Sequence, residues 1–376
     1  MKRLAAVFLT ILLLSACGVP AFAAGSQDAA RTLSFDKDGK FTILVATDIH
    51  EEYPMEKAES VFLREAVDAV QPDLVVLDGD NMVCAGTQIY DQLLEPFVSA
   101  GVPFTFVFGN HDRECSDLTR EQQMAEYRRV GGALCLAYDA VPEMSGCGTH
   151  NLPVLSSDGS RTAFNLWLFD SGDYVPEKGY DRVRADQIEW YRENSMRLER
   201  ENGGKVPSMA FQHIIAKQIF DAVYEPARDA DNAFRTFEDG TAFSKKINRR
   251  AYDGFLCETP CPSVLDDGQW AAFAARGDVL GCVTGHDHTN NFVARYDGVD
   301  LIQTSSAGHR AYGSVFTRGV RVITIDEKDP WQYETHTVYE SDLAMRMRSK
   351  IPSATYIPRF IYAIIRGITQ LIGWIY

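Results

Sequence analysis

The chain has 376 residues, of which 45% are hydrophobic and 24% charged, a composition typical of a globular protein with a sizeable core. Its formal net charge of −15 argues against broad electrostatic attraction to nucleic acid, so no nucleic-acid scaffold is expected as a partner. An anionic substrate would also be repelled unless its binding site carried a local positive charge.

The N-terminus is typical of an export signal. Lys2 and Arg3 precede an apolar run, and small residues follow it, which predicts a secretory signal over residues 1–23. The stretch "LSAC" instead resembles a bacterial lipobox, which would place a lipid on Cys17. Both alternatives predict an exported protein that is either secreted or associated with the cell envelope.

Export changes how the cysteines are interpreted. An oxidising compartment favours disulfides, and the cysteines after Cys17 are odd in number, which leaves at least one unpaired. Cys282 lies in an apolar run and is expected to be buried and free. Cys257 and Cys261 in "CETPC" are spaced for a small disulfide loop, with zinc binding as the weaker alternative.

After a polar linker over residues 24–38, apolar β-branched runs alternate with helical patterns. The predicted strands are "FTILVATD", "DLVVLDGD", "PFTFVFGNHD", "AFNLWLFDSGD", "VPSMAFQH", "DVLGCVTGHDH" and "RGVRVITID", and the predicted helices cover 55–70, 87–101, 119–132 and 185–201. This alternation predicts a layered α/β fold with parallel strands. One catalytic domain over 39–340 accounts for it, with an irregular stretch over 221–262 as a candidate wall of the site.

Ligand-type side chains follow five of these strands at the point where each strand ends. They are Asp48 and His50, then Asp80, then Asn110, His111 and Asp112, then His213, and finally His286 and His288. In open α/β sheets, ligands bind beyond the carboxyl ends of the strands. A single aspartate there is more often a helix cap or turn former, but five such strand ends in one chain predict a polynuclear metal site.

The order of these blocks resembles the calcineurin-like metallophosphoesterase superfamily. Its pattern of D-x-H, G-D, G-N-H-[DE], a lone H and G-H-x-H is present over residues 40–325 as Asp48-Ile49-His50, Gly79-Asp80, Gly109-Asn110-His111-Asp112, His213 and Gly285-His286-Asp287-His288. The stretch "ARGDVLGCVTGHDHTNNF" with the later "HRAYG" is most similar to the small purple-acid-phosphatase-like branch.

The resemblance implies a four-layer α-β-β-α sandwich and a metal-dependent phosphoesterase. It implies that one metal is held by Asp48, His50 and His288, the other by Asn110, His213 and His286, and that Asp80 bridges them. His111 would contact the phosphoryl group rather than bind a metal. Asp112 would either orient His111 or cap a helix.

Physical chemistry is consistent with these roles. Two divalent cations bring a charge of about +4 and two aspartates return −2, so the site stays positive and attracts phosphate. A water shared by two metals becomes an effective nucleophile near neutral pH, and His111 can protonate the leaving group or stabilise the phosphoryl oxygens. The imidazole-rich ligand set favours iron, manganese or zinc over calcium or magnesium.

These features predict an exported phosphohydrolase that acts on phosphomonoesters of small molecules. The alternatives are a phosphodiesterase acting on nucleotides or lipid headgroups, and a non-catalytic surface protein that binds metal or phosphate. No tyrosine closely follows Asp80, so a coloured iron–tyrosinate centre is not expected.

Three further expectations are weaker. His309 and Tyr312 either line the substrate pocket or lie in a surface loop, and His150 is taken as an ordinary surface residue. Residues 351–376 form an amphipathic helix pattern that either contacts a membrane surface or packs on the domain.

Overall fold

The computed structural model describes residues 32–351 apart from 177, 227–233 and 239–240, together with residues 361, 364–365 and 367–368. The predicted export signal with Cys17 lies outside the described residues, and so does most of the predicted helix over 351–376. Within the described part of the chain, no helix is both long and apolar enough to cross a membrane.

Seven α-helices and eighteen strands form in this part of the chain. The helices are α1 (Lys57–Val70), α2 (Thr87–Ala100), α3 (Arg120–Gly131), α4 (Ala185–Asn202), α5 (Ile219–Val223), α6 (Gln269–Arg276) and α7 (Glu340–Lys350). The strands are β1 (Leu33–Ser34), β2 (Lys40–Ala46), β3 (Leu74–Asp78), β4 (Phe104–Val107), β5 (His150–Leu155), β6 (Thr162–Leu168), β7 (Tyr174–Val175), β8 (Gly179–Tyr180), β9 (Ser208–Phe211), β10 (Tyr224–Pro226), β11 (Phe234–Glu238), β12 (Thr241–Ile247), β13 (Tyr252–Phe255), β14 (Val279–Thr284), β15 (Asn291–Tyr296), β16 (Val299–Gln303), β17 (Gly319–Asp326) and β18 (Tyr333–Tyr339).

Two large sheets carry the fold. The five-stranded sheet has the order β18-β17-β2-β3-β4, and the eight-stranded sheet has the order β1-β5-β6-β9-β14-β16-β15-β13. Neighbouring strands are parallel from β2 to β4 and from β6 through β9 and β14 to β16. The strands that end in predicted ligands therefore point their carboxyl ends the same way within each sheet, as the sequence predicted.

Side-chain alternation along the strands builds the layers. In β2, Phe41, Ile43 and Val45 belong to a core cluster between the two sheets, whereas Leu44 and Ala46 face the cluster formed with α1, α2, α3 and α7. A third cluster packs α4, α5 and α6 against the other face of the eight-stranded sheet. These clusters separate four layers in the order α-β-β-α, which confirms the predicted fold class.

The ordered domain is wider than the predicted 39–340. Residues 33–34, inside the predicted linker, pair with β5, and Leu33 and Phe35 are buried. At the other end α7 packs on α1, where Lys350 lies 2.6 Å from Glu65. Two buried apolar side chains in a polar stretch are too few to produce a recognisable strand pattern. The stretch over 221–262, predicted as irregular, contains β10 to β13.

The cysteine predictions were partly right. Cys282 is buried and free, as expected, but Cys257 and Cys261 are exposed and unbonded, so the predicted loop closure was wrong. Each of the two is anchored separately, because its backbone N–H donates to a side chain of the 287–290 turn. Among the described cysteines, a disulfide joins Cys84 to Cys115.

His150 is a second correction, because it is a core residue rather than a surface one. It lies at the start of β5 and is fully buried, with Nε2 2.8 Å from the Thr105 hydroxyl and Nδ1 2.7 Å from the carbonyl of Gly148. Burial lowers the pKa of His150 to about 4, so the ring is neutral.

Candidate metal centre

The carboxyl ends of the two sheets meet at one place, and the predicted ligands lie there. Two groups of side chains each bring one ligand atom per residue to within 4.8 Å of the others. They are Asp48, His50 and His288, and Asp80, His213 and His286. The five-stranded sheet presents Asp48, His50 and Asp80, and the eight-stranded sheet presents the other three histidines. Each group therefore draws on both sheets.

The side chains of this centre are suited to cations because several of their donor atoms have no partner outside the centre. All are buried; His50 Nε2, Asn110 Oδ1 and His286 Nε2 have no hydrogen-bond partner, and His213 Nε2 and Asp80 Oδ2 have only each other, 3.0 Å apart. An unpaired buried polar group costs roughly 1–3 kcal/mol, so three at one place favour a compensating ligand. Imidazole, carboxylate and amide donors fit iron, manganese or zinc.

Charge is concentrated at the centre. His213 Nε2 lies 3.0 Å from Asp80 Oδ2, and His288 Nε2 lies 3.4 Å from Asp48 Oδ1. Although burial opposes it, Asp80 and Asp48 raise the pKa of His213 to about 10. Burial and neighbouring His213 lower the pKa of His286 to about 3. Without a metal, the two aspartates thus hold a proton on His213, which supplies the positive charge that a cation would otherwise bring.

The backbone turns sharply where it presents these ligands. Asp48, His50, Asp80 and His286 have φ angles of 52°, 52°, 49° and 76°. Non-glycine residues seldom adopt this left-handed region, and such residues cluster at functional sites. The turns are cross-linked, since the N–H groups of Asp48 and His50 donate to the carbonyls of Gly79 and Asp80.

Glycines in the sequence blocks make room for the ligands. Gly79 has a φ of 89°, and a Cβ there would lie 2.5–2.6 Å from atoms of the His213 side chain. A Cβ on Gly285 would collide with the side chain of Thr47 and come within 2.7 Å of Asp48. Any larger residue at either position would displace a ligand of the centre.

Hydrogen bonds from the second ring nitrogen fix the orientation of two of the histidine ligands. His213 Nδ1 donates to the Asp78 carbonyl at 3.0 Å and His288 Nδ1 to the Tyr312 carbonyl at 2.6 Å, which leaves each Nε2 for the centre. Such partners are backbone groups from distant strands and loops, so no sequence signal identified them.

His111 lies at the accessible side of the centre. Its side chain is 32% exposed, its ring centroid lies 5.1 Å from that of His50, and its N–H donates to Asp80 at 2.7 Å. Glu114 Oε2 lies 2.8 Å from His111 Nδ1. Glu114 was not predicted from the sequence. Its position three residues after His111, next to a cysteine of the disulfide, could have indicated this contact.

Asp112 has neither of the roles considered from the sequence. Its carboxylate accepts the N–H groups of Gly109, Asp80, Asn81 and Met82 at 2.7–3.1 Å, and the cap of α3 is Thr119. Burial and nearby Asp80 raise the pKa of Asp112 to about 6. Asp112 therefore ties the Asp80 turn to the Asn110 turn and belongs to the scaffold rather than to the reacting groups.

His309 and Tyr312, the two residues expected near a substrate pocket, lie in different surroundings. His309 lies between Glu59 and Glu340, with its ring nitrogens 2.6 and 3.0 Å from their oxygens, so it has no free nitrogen for a substrate. That expectation is corrected. Tyr312 is 61% exposed and stacks on His288 with ring centroids 4.0 Å apart, which leaves its predicted contact with substrate open to test.

A cleft of about 480 Å³, which was not predicted from the sequence, lies next to Tyr174 and is lined by none of the proposed metal ligands. Tyr174 lines it and connects it to the centre, because Asn110 Nδ2 donates to the Tyr174 hydroxyl at 2.9 Å. The charged residues that line the cleft are of both signs: Arg113, Arg120, Arg182, Arg184, Glu121, Asp170, Asp173 and Asp181. The lining suits a polar ligand.

Comparison with known proteins agrees with the fold and the centre. A profile of the family described as calcineurin-like phosphoesterase matches residues 41–290, more than half of the chain. The chain therefore belongs to the calcineurin-like phosphoesterase family, whose members are metal-dependent phosphoesterase hydrolases. The family predicted from the sequence is confirmed.

Relatives in this family carry phosphatase names. "Probable inactive purple acid phosphatase 14" of Arabidopsis thaliana is 29% identical over 357 residues, which cover 84% of this chain and 82% of the relative. "Phosphatase DCR2" of Saccharomyces cerevisiae is 24% identical over 298 residues, which cover 71% of this chain and 47% of the relative. A dimetal phosphatase from Danio rerio aligns in structure over 79% of this chain and 98% of its own, with 13% identity and a TM-score of 0.47.

Proposed function

We propose that the protein is an exported two-metal phosphohydrolase that cleaves phosphomonoesters. The observation that carries the proposal is the pair of buried ligand groups whose unpaired donor atoms converge between the two sheets. Family membership supports phosphoester hydrolysis, and the phosphatase names of the relatives support a monoester.

In the proposed mechanism, the chain holds two cations and presents the phosphate to them. Asp48, His50 and His288 would hold one, Asn110, His213 and His286 the other, and Asp80 reaches both groups. Bound metals would supply Lewis acidity and a nucleophile of lowered pKa. With two divalent cations bound, the centre would carry a local charge of about +2 within a chain of net charge −15, and this local charge would attract phosphate.

His111 is the proposed proton donor. Its Nδ1 lies 2.8 Å from Glu114 Oε2, which leaves Nε2 as the ring nitrogen available to a substrate. His111 lies beside the buried ligands but is itself accessible to solvent. A leaving oxygen would depart from this accessible side of the centre. There His111 can protonate that oxygen or stabilise the phosphoryl oxygens.

Export is proposed from residues 1–23, or from a lipid on Cys17. The disulfide between Cys84 and Cys115 supports it, because structural disulfides persist chiefly in oxidising compartments. We also propose that residues 351–376 bring the protein to a membrane surface. Flotation with lipid vesicles tests this, and equal binding of the full chain and of a chain ending at residue 350 would reject it.

A non-catalytic binding protein is the competing function, since three relatives from Arabidopsis thaliana, at 29%, 28% and 26% identity, have "inactive" in their names. Against it, six of the seven proposed ligands converge in the two buried groups, the amide oxygen of Asn110 is buried without a partner, and His111 is present beside His50. A phosphodiesterase is the other competitor.

Initial hydrolysis rates of p-nitrophenyl phosphate and bis-p-nitrophenyl phosphate distinguish the three. The protein is loaded in turn with iron, manganese or zinc, and Asp80→Ala is the blank. Faster turnover of the monoester, absent from the blank, is expected. Faster turnover of the diester would establish the phosphodiesterase, and two bound metals without turnover of either substrate would favour the binding protein.

A further inference from the structure

Two tyrosines of a short hairpin face the second ligand group. Strands β7 and β8 pair with Tyr174 opposite Tyr180, so both side chains lie on one face of the hairpin, with ring centroids 5.5 Å apart. The hairpin is anchored, since Asp181 N–H donates to the Asp173 carbonyl and the Ser263 hydroxyl to the Tyr180 carbonyl.

Tyr174 fixes the amide of Asn110. Its hydroxyl accepts a hydrogen bond from Asn110 Nδ2 at 2.9 Å, while Asn110 Oδ1 is buried and has no partner. An amide binds a cation through its oxygen, not through its NH₂ group. By holding the nitrogen end, the Tyr174 hydroxyl leaves the oxygen end for the centre.

Tyr180 packs against the neighbouring ligand. Its ring meets the His286 ring edge to face, with centroids 4.2 Å apart at an angle of 84°, and His286 Nε2 is likewise buried without a partner. The hairpin therefore contacts two of the residues proposed to hold the second metal. His288, in the first group, is oriented by a backbone carbonyl instead.

We propose that the β7–β8 hairpin is the positioning element for the second metal, and that the Tyr174 hydroxyl sets the affinity of that metal through Asn110. The inference rests on the two-metal centre of the proposed function. It adds an asymmetry between the two metals, because removing the Tyr174 hydroxyl should lower the affinity for the second metal and leave the affinity for the first unchanged.

Metal titration of Tyr174→Phe tests the proposal without any turnover. Metal-free protein is titrated with Zn²⁺ by calorimetry, and bound zinc is counted by mass spectrometry after dialysis. Loss of an orienting partner typically lowers metal affinity 10–100-fold, so the second equivalent should weaken by that factor while the first is unchanged. Tyr333→Phe is the matched control, since it removes a hydroxyl of β18 that donates to Asp300 of β16 at 2.7 Å, and both equivalents should keep their affinity.

Each other outcome rejects the inference in a distinct way. An unchanged second equivalent in Tyr174→Phe would show that the hydroxyl does not position Asn110. Equal weakening of both equivalents would indicate general loosening of the centre. A visible absorption band of the iron(III)-loaded wild type that Tyr174→Phe lacks would make Tyr174 a ligand itself. Fewer than two equivalents in the wild type would remove the two-metal centre, and the proposed function with it.

Discussion

The two sheets contribute to the centre unequally. The five-stranded sheet supplies both carboxylates and one imidazole of the two ligand groups, from Asp48, Asp80 and His50, and the proposed ligand Asn110 follows its strand β4. The eight-stranded sheet supplies imidazoles alone. Each ligand group draws on both sheets, so the five-stranded, acidic half brings the negative charge of the centre and the eight-stranded half brings histidines.

The halves also differ in what lies behind the ligands. Behind the five-stranded half, His309, Glu59, Glu340 and Arg318 form a network of charged side chains between α1 and α7. The Ser306 hydroxyl donates to the Asp48 carbonyl at 2.7 Å, which joins the segment carrying His309 to the first ligand block. On the eight-stranded side, the ring of Tyr180 packs on His286. The acidic half should therefore respond more strongly to pH.

Replacing one ligand from each half should have the largest effect. Asp80→Asn removes the carboxylate that reaches both groups, so both metals should weaken and kcat should fall by about 10³-fold or more, or roughly 4 kcal/mol. His286→Ala should release one metal. Steady-state kinetics with p-nitrophenyl phosphate and metal counts per chain measure both. Loss of both metals from His286→Ala, with both retained in Asp80→Asn, would contradict the expectation that Asp80 serves both metals and His286 only one.

Removal of the proposed metals should destabilise the fold, because each ligand group draws residues from both sheets and a metal bound there would join them. A ligand at 1,000 times its Kd stabilises the folded state by about 4 kcal/mol. Chelation should therefore lower the Tm measured by calorimetry, and added metal should restore it. Asp80→Asn, as control, should show a much smaller response to chelator. An identical Tm with and without metal would mean that the centre does not hold the sheets together.

The acidic half should lose stability at alkaline pH through His309. Burial acts against protonation, but hydrogen bonds to Glu340 and Glu59 raise the pKa of His309 to about 9, from about 6.5 when unfolded. Its stabilisation is full below pH 6.5 and is lost as the pH rises through 9, with a size on the order of 3 kcal/mol. Urea unfolding of the wild type and His309→Gln should differ most near pH 6 and converge near pH 10. A constant difference across that range would contradict the assignment.

Glu114 should have the smallest effect of the four. If it holds His111 for proton donation, Glu114→Gln should lower kcat for phenyl phosphate on the order of tenfold, and less for p-nitrophenyl phosphate, whose leaving group needs no proton. Glu126→Gln is the matched control, since Glu126 also pairs with a base three residues away, at 2.7 Å. Equal losses on both substrates would point to a purely structural role for Glu114.

Much of the centre was predictable because metal ligands have few chemical options and must end adjacent strands. The burial of His150 in β5 was not predictable, because its hydrogen-bond partner Thr105 lies on another strand, 45 residues away. The same holds for His309, whose two carboxylates come from α1 and α7. Glu114 and Tyr174 are ordinary loop residues in the sequence, and only their neighbours distinguish them.

The sequence by itself determined the layered fold, the order of the ligand blocks and the family, because hydrophobic period and residue chemistry are local properties of a chain. Tertiary structure decided which side chains meet. It joined Cys84 to Cys115, turned Asp112 toward four backbone amides, placed His309 between two acids, and brought the β7–β8 hairpin to Asn110 and His286. These contacts cross between segments far apart in sequence, and their geometry depends on how the two sheets pack.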